Sequence, residues 1–282
     1  MRPRTIDDLG GDWRLSGSQL NYRRCPECDS QNWKLYVDPA SGLWHCFRCD
    51  AGGRVEVPRD ADVMRARLLA RPSTRVEWGP AAMPPNVSIG ASAEMFLWEK
   101  YGMSGEMVKL YGLVEGYLVP GFPPMPYVGR VLIPYCDRLG EVVYFSGRSY
   151  VGAEPKYRNM PGRHPLYVPG WIAGDAFLRA ELPGGLVLVE GAFDAIKVHI
   201  AAGSDVDVVA LGGKSLPRYL LHELLKLRPR RVRVALDSDA FAATIKLRAQ
   251  LAPFVDQVDV VQLPEGEDPG SMSFEAIREA LL

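Results

Sequence analysis

No apolar run in this chain approaches the about 18 residues that a membrane-spanning helix needs. The opening Met1-Arg2-Pro3-Arg4-Thr5-Ile6-Asp7-Asp8 lacks the apolar core of a signal peptide, so a secreted or membrane-anchored protein is not expected. Neither sign of charge is in excess. The 33 Lys and Arg face 34 Asp and Glu, which excludes a uniformly cationic nucleic-acid coat but leaves room for a local basic patch. No internal repeat is visible, and the 23 prolines and 28 glycines are scattered, so they read as turns and not as low complexity. What is present is ordinary for a soluble globular protein: 47% hydrophobic and 24% charged residues, in a length of 282 that predicts about two domains.

Cysteine is scarce, with five in the chain, yet four of them fall in two tight pairs. Cys25-Pro26-Glu27-Cys28 and Cys46-Phe47-Arg48-Cys49 are separated by 17 residues, the spacing of two zinc knuckles. Four thiolates complete a tetrahedral site with no position left for water, so the metal is expected to be structural. Trp33, Leu35 and Val37, then Leu43 and Trp44, flank an Asp38-Pro39-Ala40-Ser41-Gly42 turn, which predicts a hairpin and hence a zinc ribbon. The competing reading, two disulfides, requires an oxidising compartment that nothing in the sequence points to. His45 reads as a packing or surface residue, and Cys136 as a small buried one. Trp44, Phe47, Arg48 and Arg54 form an aromatic and basic set suited to single-stranded DNA, although Trp33 and Trp44 serve equally well as the ribbon's core.

Residues 54–85 have broken periodicity and read as a tether, with Pro58, Arg65, Arg67, Arg71, Pro72, Arg75, Pro80, Pro84 and Pro85 along it and a short helix over Asp62–Leu69. Helices are predicted at Ser92–Tyr101 and Ser104–Tyr111. Arg130–Tyr135 and Glu141–Ser146, joined by a turn at Asp137–Gly140, predict a two-stranded antiparallel meander. From Arg130 to Arg163 six basic residues (Arg130, Arg138, Arg148, Lys156, Arg158, Arg163) outnumber three acidic ones and are interleaved with Tyr150 and Tyr157. Such a surface tracks phosphates, or else is only a set of solvated strand edges.

The last hundred residues alternate strands (186–189, 206–210, 232–236, 258–261) with helices (193–202, 216–227, 241–251, 274–282), which predicts a parallel sheet. Acids sit at the strand ends, where ligands of such sheets gather: Glu190, then Asp237 and Asp239, then Glu265-Gly266-Glu267-Asp268. Carboxylates brought together there repel unless protonated or bridged by hard divalent cations, magnesium or manganese. Capping of a helix by Asp239 would explain that residue alone. Gly212-Gly213-Lys214-Ser215 imitates the end of a phosphate-binding P-loop. The loop would need glycine at 208, where Val208 lies in a strand, so Lys214 reads as a solvated loop lysine, with contact to a phosphate as the alternative.

Together these residues resemble a known family. Glu190-Gly191-Ala192-Phe193-Asp194, Asp237-Ser238-Asp239 and Glu267-Asp268-Pro269 are similar to the metal-binding motifs of the toprim fold. Arg130-Val131-Leu132-Ile133-Pro134, Gly147-Arg148 and Pro155-Lys156-Tyr157-Arg158-Asn159 resemble the basic RNA-polymerase subdomain of DnaG-type primases. The segment from Cys25 to Gly53 resembles their zinc ribbon, and the modules come in the same order. Cys28 stands where cellular members usually carry histidine, whereas phage members more often use cysteine at all four positions. Gly270 stands where another metal-facing aspartate is frequent, and Ala240-Phe241-Ala242 replaces a small Ala-Gly step. A second family lysine has no clear counterpart beyond Arg163.

The resemblance implies an α/β protein: a toprim parallel-sheet core (183–282), an α+β basic subdomain (86–182), a linker (58–85) and an N-terminal zinc ribbon (1–57). It implies a DNA primase that makes short RNA primers on single-stranded DNA from NTPs. Glu190, Asp237, Asp239 and Asp268 would hold magnesium or manganese, with Glu190 alternatively acting as acid/base and Asp194 supporting it. Arg130, Arg148, Lys156, Tyr157, Arg158 and Asn159 would hold template and nucleotide, and Cys25, Cys28, Cys46 and Cys49 one structural zinc. A separate replicative helicase is the expected partner, since no fused one is seen, and the cytoplasm of a bacterium or phage-infected host the expected setting. The rivals are a non-catalytic recombination-mediator scaffold, which would lack the Arg148 and Lys156-Tyr157 segment, and a toprim nuclease. A topoisomerase would need a longer chain.

Overall fold

A computed structural model describes residues 5–9, 11–16, 19–39, 41–57, 61–69, 76–118, 126–174, 185–203 and 205–282. Pro58, Arg71, Pro72 and Arg75 of the expected tether, and the expected boundary at 182/183, lie outside them. The chain opens with five short strands: β1 (Trp13–Ser16), β2 (Gln19–Tyr22), β3 (Leu35–Val37), β4 (Leu43–Cys46) and β5 (Gly52–Arg54). A helix α1 (Ala61–Leu69) follows. Next come β6 (Asn86–Val87), α2 (Ala91–Tyr101), α3 (Gly105–Leu110), β7 (Val114–Gly116), β8 (Arg130–Cys136), β9 (Val142–Ser149), β10 (Tyr157–Asn159) and α4 (Pro169–Ala173). The remainder alternates: β11 (Leu186–Val189), α5 (Ala192–Ala202), β12 (Asp207–Ala210), α6 (Arg218–Lys226), β13 (Arg231–Val234), α7 (Phe241–Leu251), β14 (Gln257–Val260) and α8 (Phe274–Leu281).

The chain divides into two compact units, each assembled from separated stretches. The first comprises Met1–Arg75, Ser215–Val234 and Phe241–Val260. In it, β1 to β5 form an antiparallel sheet in sequence order. The anticipated hairpin is β3 with β4, paired Leu35↔Cys46 and Val37↔Trp44. Gly42 closes it at φ +71°, where a Cβ would meet Val55 O at 2.1 Å, so glycine is required on both counts. Leu20, Leu35 and Val37 are fully buried with Trp44, whereas Trp33 is only half-buried under the guanidinium of Arg14. β1, β2 and β5 extend the ribbon beyond the expected hairpin. They are too short, at three or four residues, to carry a period-2 signal.

The expected tether is in part a packed helix. α1 buries Met64 and Leu68, and also Arg65. Arg65 donates from Nη2 to Phe254 O at 2.9 Å and to Pro229 O at 3.3 Å, and from Nη1 to Asp62 Oδ1 at 2.7 Å. The sequence pattern hides this because the cation that docks the helix looks like a surface residue until its acceptors are known. In the same unit β13 and β14 run parallel, Arg231↔Gln257 to Val234↔Val260.

The second unit comprises Val76–Lys214, Ala235–Ala240 and Val261–Leu282. The expected two-stranded meander is the centre of a five-stranded antiparallel sheet, ordered β10-β9-β8-β7-β6. Its outer strands span two or three residues and again left no pattern in the sequence. Ser104 caps α3 by accepting from Met107 N, as its position predicted. α2 ends on Gly102 in the left-handed region. β11 and β12 pair in parallel, Leu186↔Asp207 to Val189↔Ala210. All four residues of β11 are buried, and Val187 and Val189 share one core with Ala195, Ile196 and Val198 of α5. Each buried valine or isoleucine side chain among them contributes roughly 1.5–3 kcal/mol. That packing fixes where β11 stops, and so where the residue after it points.

Candidate active site and metal centres

In the ribbon the four Sγ atoms of Cys25, Cys28, Cys46 and Cys49 lie within 4.8 Å of one another, with Cys25–Cys49 at 3.9 Å and Cys28–Cys46 at 4.0 Å. These separations are far beyond an S–S bond of about 2.05 Å, and all five cysteines are unbridged. They suit the edges of a tetrahedron with metal–sulfur bonds of about 2.3 Å. Burial works against ionisation of Cys46, but the N–H groups of Arg48 and Cys49 aimed at its sulfur bring its pKa down to about 7. Burial instead pushes Cys25 up to about 12, so it is the geometry of the four sulfurs that fits a structural metal. His45 lies outside the set, 3.6 Å from Asp50. Phe47 is exposed and packs edge-on to Tyr36 and His45. Cys136 is buried, as expected.

The second unit contains a cavity of about 240 Å³ lined by Glu190, Asp194, Asp237 and Asp268 together with Lys156, Tyr157 and Asn159. Thus four expected acids and three expected binding residues share one chamber. Glu190 follows β11 directly, and Ala235 N donates to Leu188 O, which carries the Ala235–Ala240 segment alongside that strand's end. Asp194, in the first turn of α5, accepts from Gly191 N at 2.8 Å. Asp268 sits in a tight turn: its Oδ1 accepts from Ser271 N at 2.7 Å, and Ser238 N donates to Glu267 O. Lys197, buried beneath the turn, donates to Gly270 O and Met272 O. At Gly270 a Cβ would lie 2.6 Å from Asp194 Oδ1 and 2.9 Å from Asp268 Oδ1, so a side chain there would require both carboxylates to shift. Backbone therefore occupies the place between two carboxylates where the family pattern often puts a third.

Burial raises Glu190 to about 7, and the charges of Asp237, Asp239 and Asp268 add to the effect against the opposing pull of Lys214. Asp194 is raised to about 7 by burial first and by Asp268 next, against the Gly191 N–H. Asp237 is raised by burial and by Asp268. Glu190 Oε2 and Asp237 Oδ1 are buried and accept no hydrogen bond from the described residues. Buried carboxylate oxygens without donors are costly, and a divalent cation satisfies both the charge and the lone pairs. The donor set is therefore of the kind that fits magnesium or manganese. The carboxylates line one chamber without being drawn to a single point. Among the described residues only the four cysteines place three or more ligand atoms within 4.8 Å of one another. Asp239 stands to one side, its side chain 75% exposed and 2.7 Å from Lys214 Nζ.

The expected binding residues separate by strand alternation. Tyr157 and Asn159 of β10 reach the cavity with Lys156, and Ser146 Oγ donates to Asn159 Oδ1. Arg158, between them, is not in the lining. Arg148 is buried, with its guanidinium 5.1 Å from the Tyr157 ring and 5.6 Å from that of Phe96. Arg130 is 2% exposed and spends its guanidinium on Gly147 O, Lys156 O and Ala153 O. It ties the β8–β10 backbone together, a role invisible in a charge count. Sequence reasoning passed over Lys100, Tyr101, Tyr135, Tyr144 and His164, which also line the cavity. Tyr101 stacks on Phe193 at 4.2 Å. No local motif marks these residues.

A toprim-like family matches residues 187–272. The chain is 34% identical to a DNA primase of Synechococcus elongatus over a 323-position alignment covering 86% of this chain and 45% of that protein. It is 31% identical to a DNA primase of Deinococcus radiodurans across 54% of this chain and 28% of that one. The matches thus span less than half the length of these curated relatives. A solved DnaG catalytic core superposes with a TM-score of 0.52 and 27% identity, over 67% of this chain and 72% of that one. Residues 187–272 are a toprim-like domain, and the chain that carries them is related to the DnaG-type DNA primases.

Proposed function

We propose that the chain is a primase, joining ribonucleotides into short RNA on a single-stranded DNA template. One observation carries this reading: unpartnered buried oxygens of Glu190 and Asp237 share a chamber with Lys156, Tyr157 and Asn159. The 3′-oxygen of a growing primer would form a bond to the α-phosphorus of an incoming NTP. The bond from that phosphorus to the bridging oxygen would break, and pyrophosphate would leave. Glu190, Asp237, Asp239 and Asp268 would hold magnesium or manganese, which when bound neutralises the triphosphate and acidifies the attacking hydroxyl. Glu190 is the alternative acceptor of the hydroxyl proton. Asp194 would hold Glu190's neighbour Gly191 through its N–H. Lys156 would meet phosphate, and Asn159, fixed by Ser146, would orient the nucleotide. Arg148 would hold Tyr157 in place from behind. Arg158 would extend the cationic path for template, while Arg130 would maintain the strands that carry it.

Cys25, Cys28, Cys46 and Cys49 would hold one zinc, and the ribbon would help select the initiation site. A separate replicative helicase would supply single-stranded template, in a bacterial or phage-infected cytoplasm. The test is incubation with single-stranded DNAs of varied sequence, magnesium and labelled ribonucleotides, with products sized on a gel. Short template-dependent RNAs support the reading. Cutting of a plasmid in manganese without incorporation would make the protein a nuclease, and template binding with neither activity would make it a scaffold.

A further inference from the structure

The Gly212-Gly213-Lys214-Ser215 stretch is not a P-loop, yet its geometry is specific. Beyond β12, Leu211 N donates to Val189 O at 3.0 Å and Gly212 N to Glu190 O at 2.8 Å, so the loop is laced to the end of β11. Gly212 has φ +71°, and a Cβ there would lie 2.9 Å from His164 Cε1, so both the turn and the close approach require glycine. Gly213, at φ +157°, continues the turn. The result is that Lys214, next to the lining residue Gly213, reaches Glu190 of the pocket and Asp239 beside it. Its Nζ is 2.7 Å from Asp239 Oδ1 and 3.9 Å from Glu190 Oε2, one of the unpartnered buried oxygens.

Two of the acids therefore meet the ammonium of this loop, while Lys197 is committed to backbone carbonyls below. We infer that Lys214 is a tethered counter-ion of the acidic pocket, which a divalent cation must displace from Glu190 and Asp239 in order to bind. The inference rests on the reading that these acids hold divalent ions. An ammonium on a flexible four-carbon stem suits the role. It neutralises like a point charge, and it can swing into water without moving the backbone. Because it is covalently attached, it competes at high effective concentration. Once displaced, the same cation is left at the pocket's rim, where an anionic triphosphate would enter.

The test is Mn²⁺ binding to the full chain, followed by electron paramagnetic resonance of unbound Mn²⁺, for wild type, Lys214→Met, Lys214→Arg and Asp237→Asn. Removing the competing charge should tighten Mn²⁺ binding by roughly twofold to fivefold, the scale of a partly exposed ion pair. Lys214→Arg should restore wild-type affinity, and Asp237→Asn should weaken binding by at least about tenfold. A tightening cannot arise from misfolding. If Lys214→Met binds no more tightly than wild type while Asp237→Asn loses Mn²⁺, the counter-ion proposal fails and the acidic metal site stands. If Asp237→Asn binds Mn²⁺ as wild type does, the site itself is misassigned and both fall.

Discussion

Glu190 and Asp194 have pKa values raised to about 7, far above those of exposed carboxylates, and the sign of the consequence is definite. Between about pH 4 and pH 7 the folded chain keeps protons that the unfolded chain has already released. Their contribution to stability is therefore full below the unfolded values and is lost as pH rises through 7. In magnesium-free buffer, urea denaturation should show stability falling by a few kcal/mol over this range, since each tenfold difference in proton affinity between the folded and unfolded chain is worth about 1.4 kcal/mol. Glu190→Gln should flatten the slope, and added Mg²⁺ should stabilise more at pH 8 than at pH 5. An unchanged slope in that variant would contradict the burial argument. Lys156→Ala should raise KM for ribonucleotides by about tenfold or more with smaller effect on folding, as steady-state incorporation would reveal. Glu190, Asp194, Asp237, Asp268, Lys156, Tyr157 and Asn159, named from motifs, line the chamber because short motifs fix strand ends and helix starts. Lys214 is the solvated loop lysine expected, its side chain 41% exposed, but its pairing with Asp239, 25 positions away, went unseen because no local pattern reports such a contact. His164 and Tyr135 were passed over for the same reason.

At the scale of elements, the strands and helices of the last hundred residues were legible because their apolar runs are continuous and their helices long. β11 and α7 match the expected spans 186–189 and 241–251. The strands β1, β6 and β10, of two to four residues and without a continuous apolar run, were lost because so few alternations cannot be told from a loop. α1 is the more instructive case. Its helix was foreseen and its packing was not. Leu68, fully buried, should cost about 2–5 kcal/mol on truncation to alanine. Arg65→Met should cost about 1–3 kcal/mol by leaving the Pro229 and Phe254 carbonyls without their donor. Urea unfolding of both variants checks this, and losses under about 0.5 kcal/mol would mean that α1 is a tether after all. Within the ribbon, Cys46→Ser should release the bound metal to a chromophoric chelator and unfold the β1–β5 sheet, because binding energy there is folding energy.

For the whole molecule, near-neutral charge and an acidic pocket are reconciled by separating the signs. Glu190, Asp194, Asp237 and Asp268 line one cavity, and Lys156, just before β10, shares that lining in the same unit. Template affinity should therefore fall with salt. Lys156→Ala should reduce the slope of log affinity against log salt by about 0.7, the value for one single-strand phosphate that the lysine no longer neutralises. The measurement that bears most directly on the account is incorporation of labelled ribonucleotides on single-stranded DNA by wild type and by Asp237→Asn, each first shown to fold. The account predicts short, magnesium-dependent RNA from the wild type and at least a hundredfold less from the variant. Equal synthesis by the two proteins would contradict it.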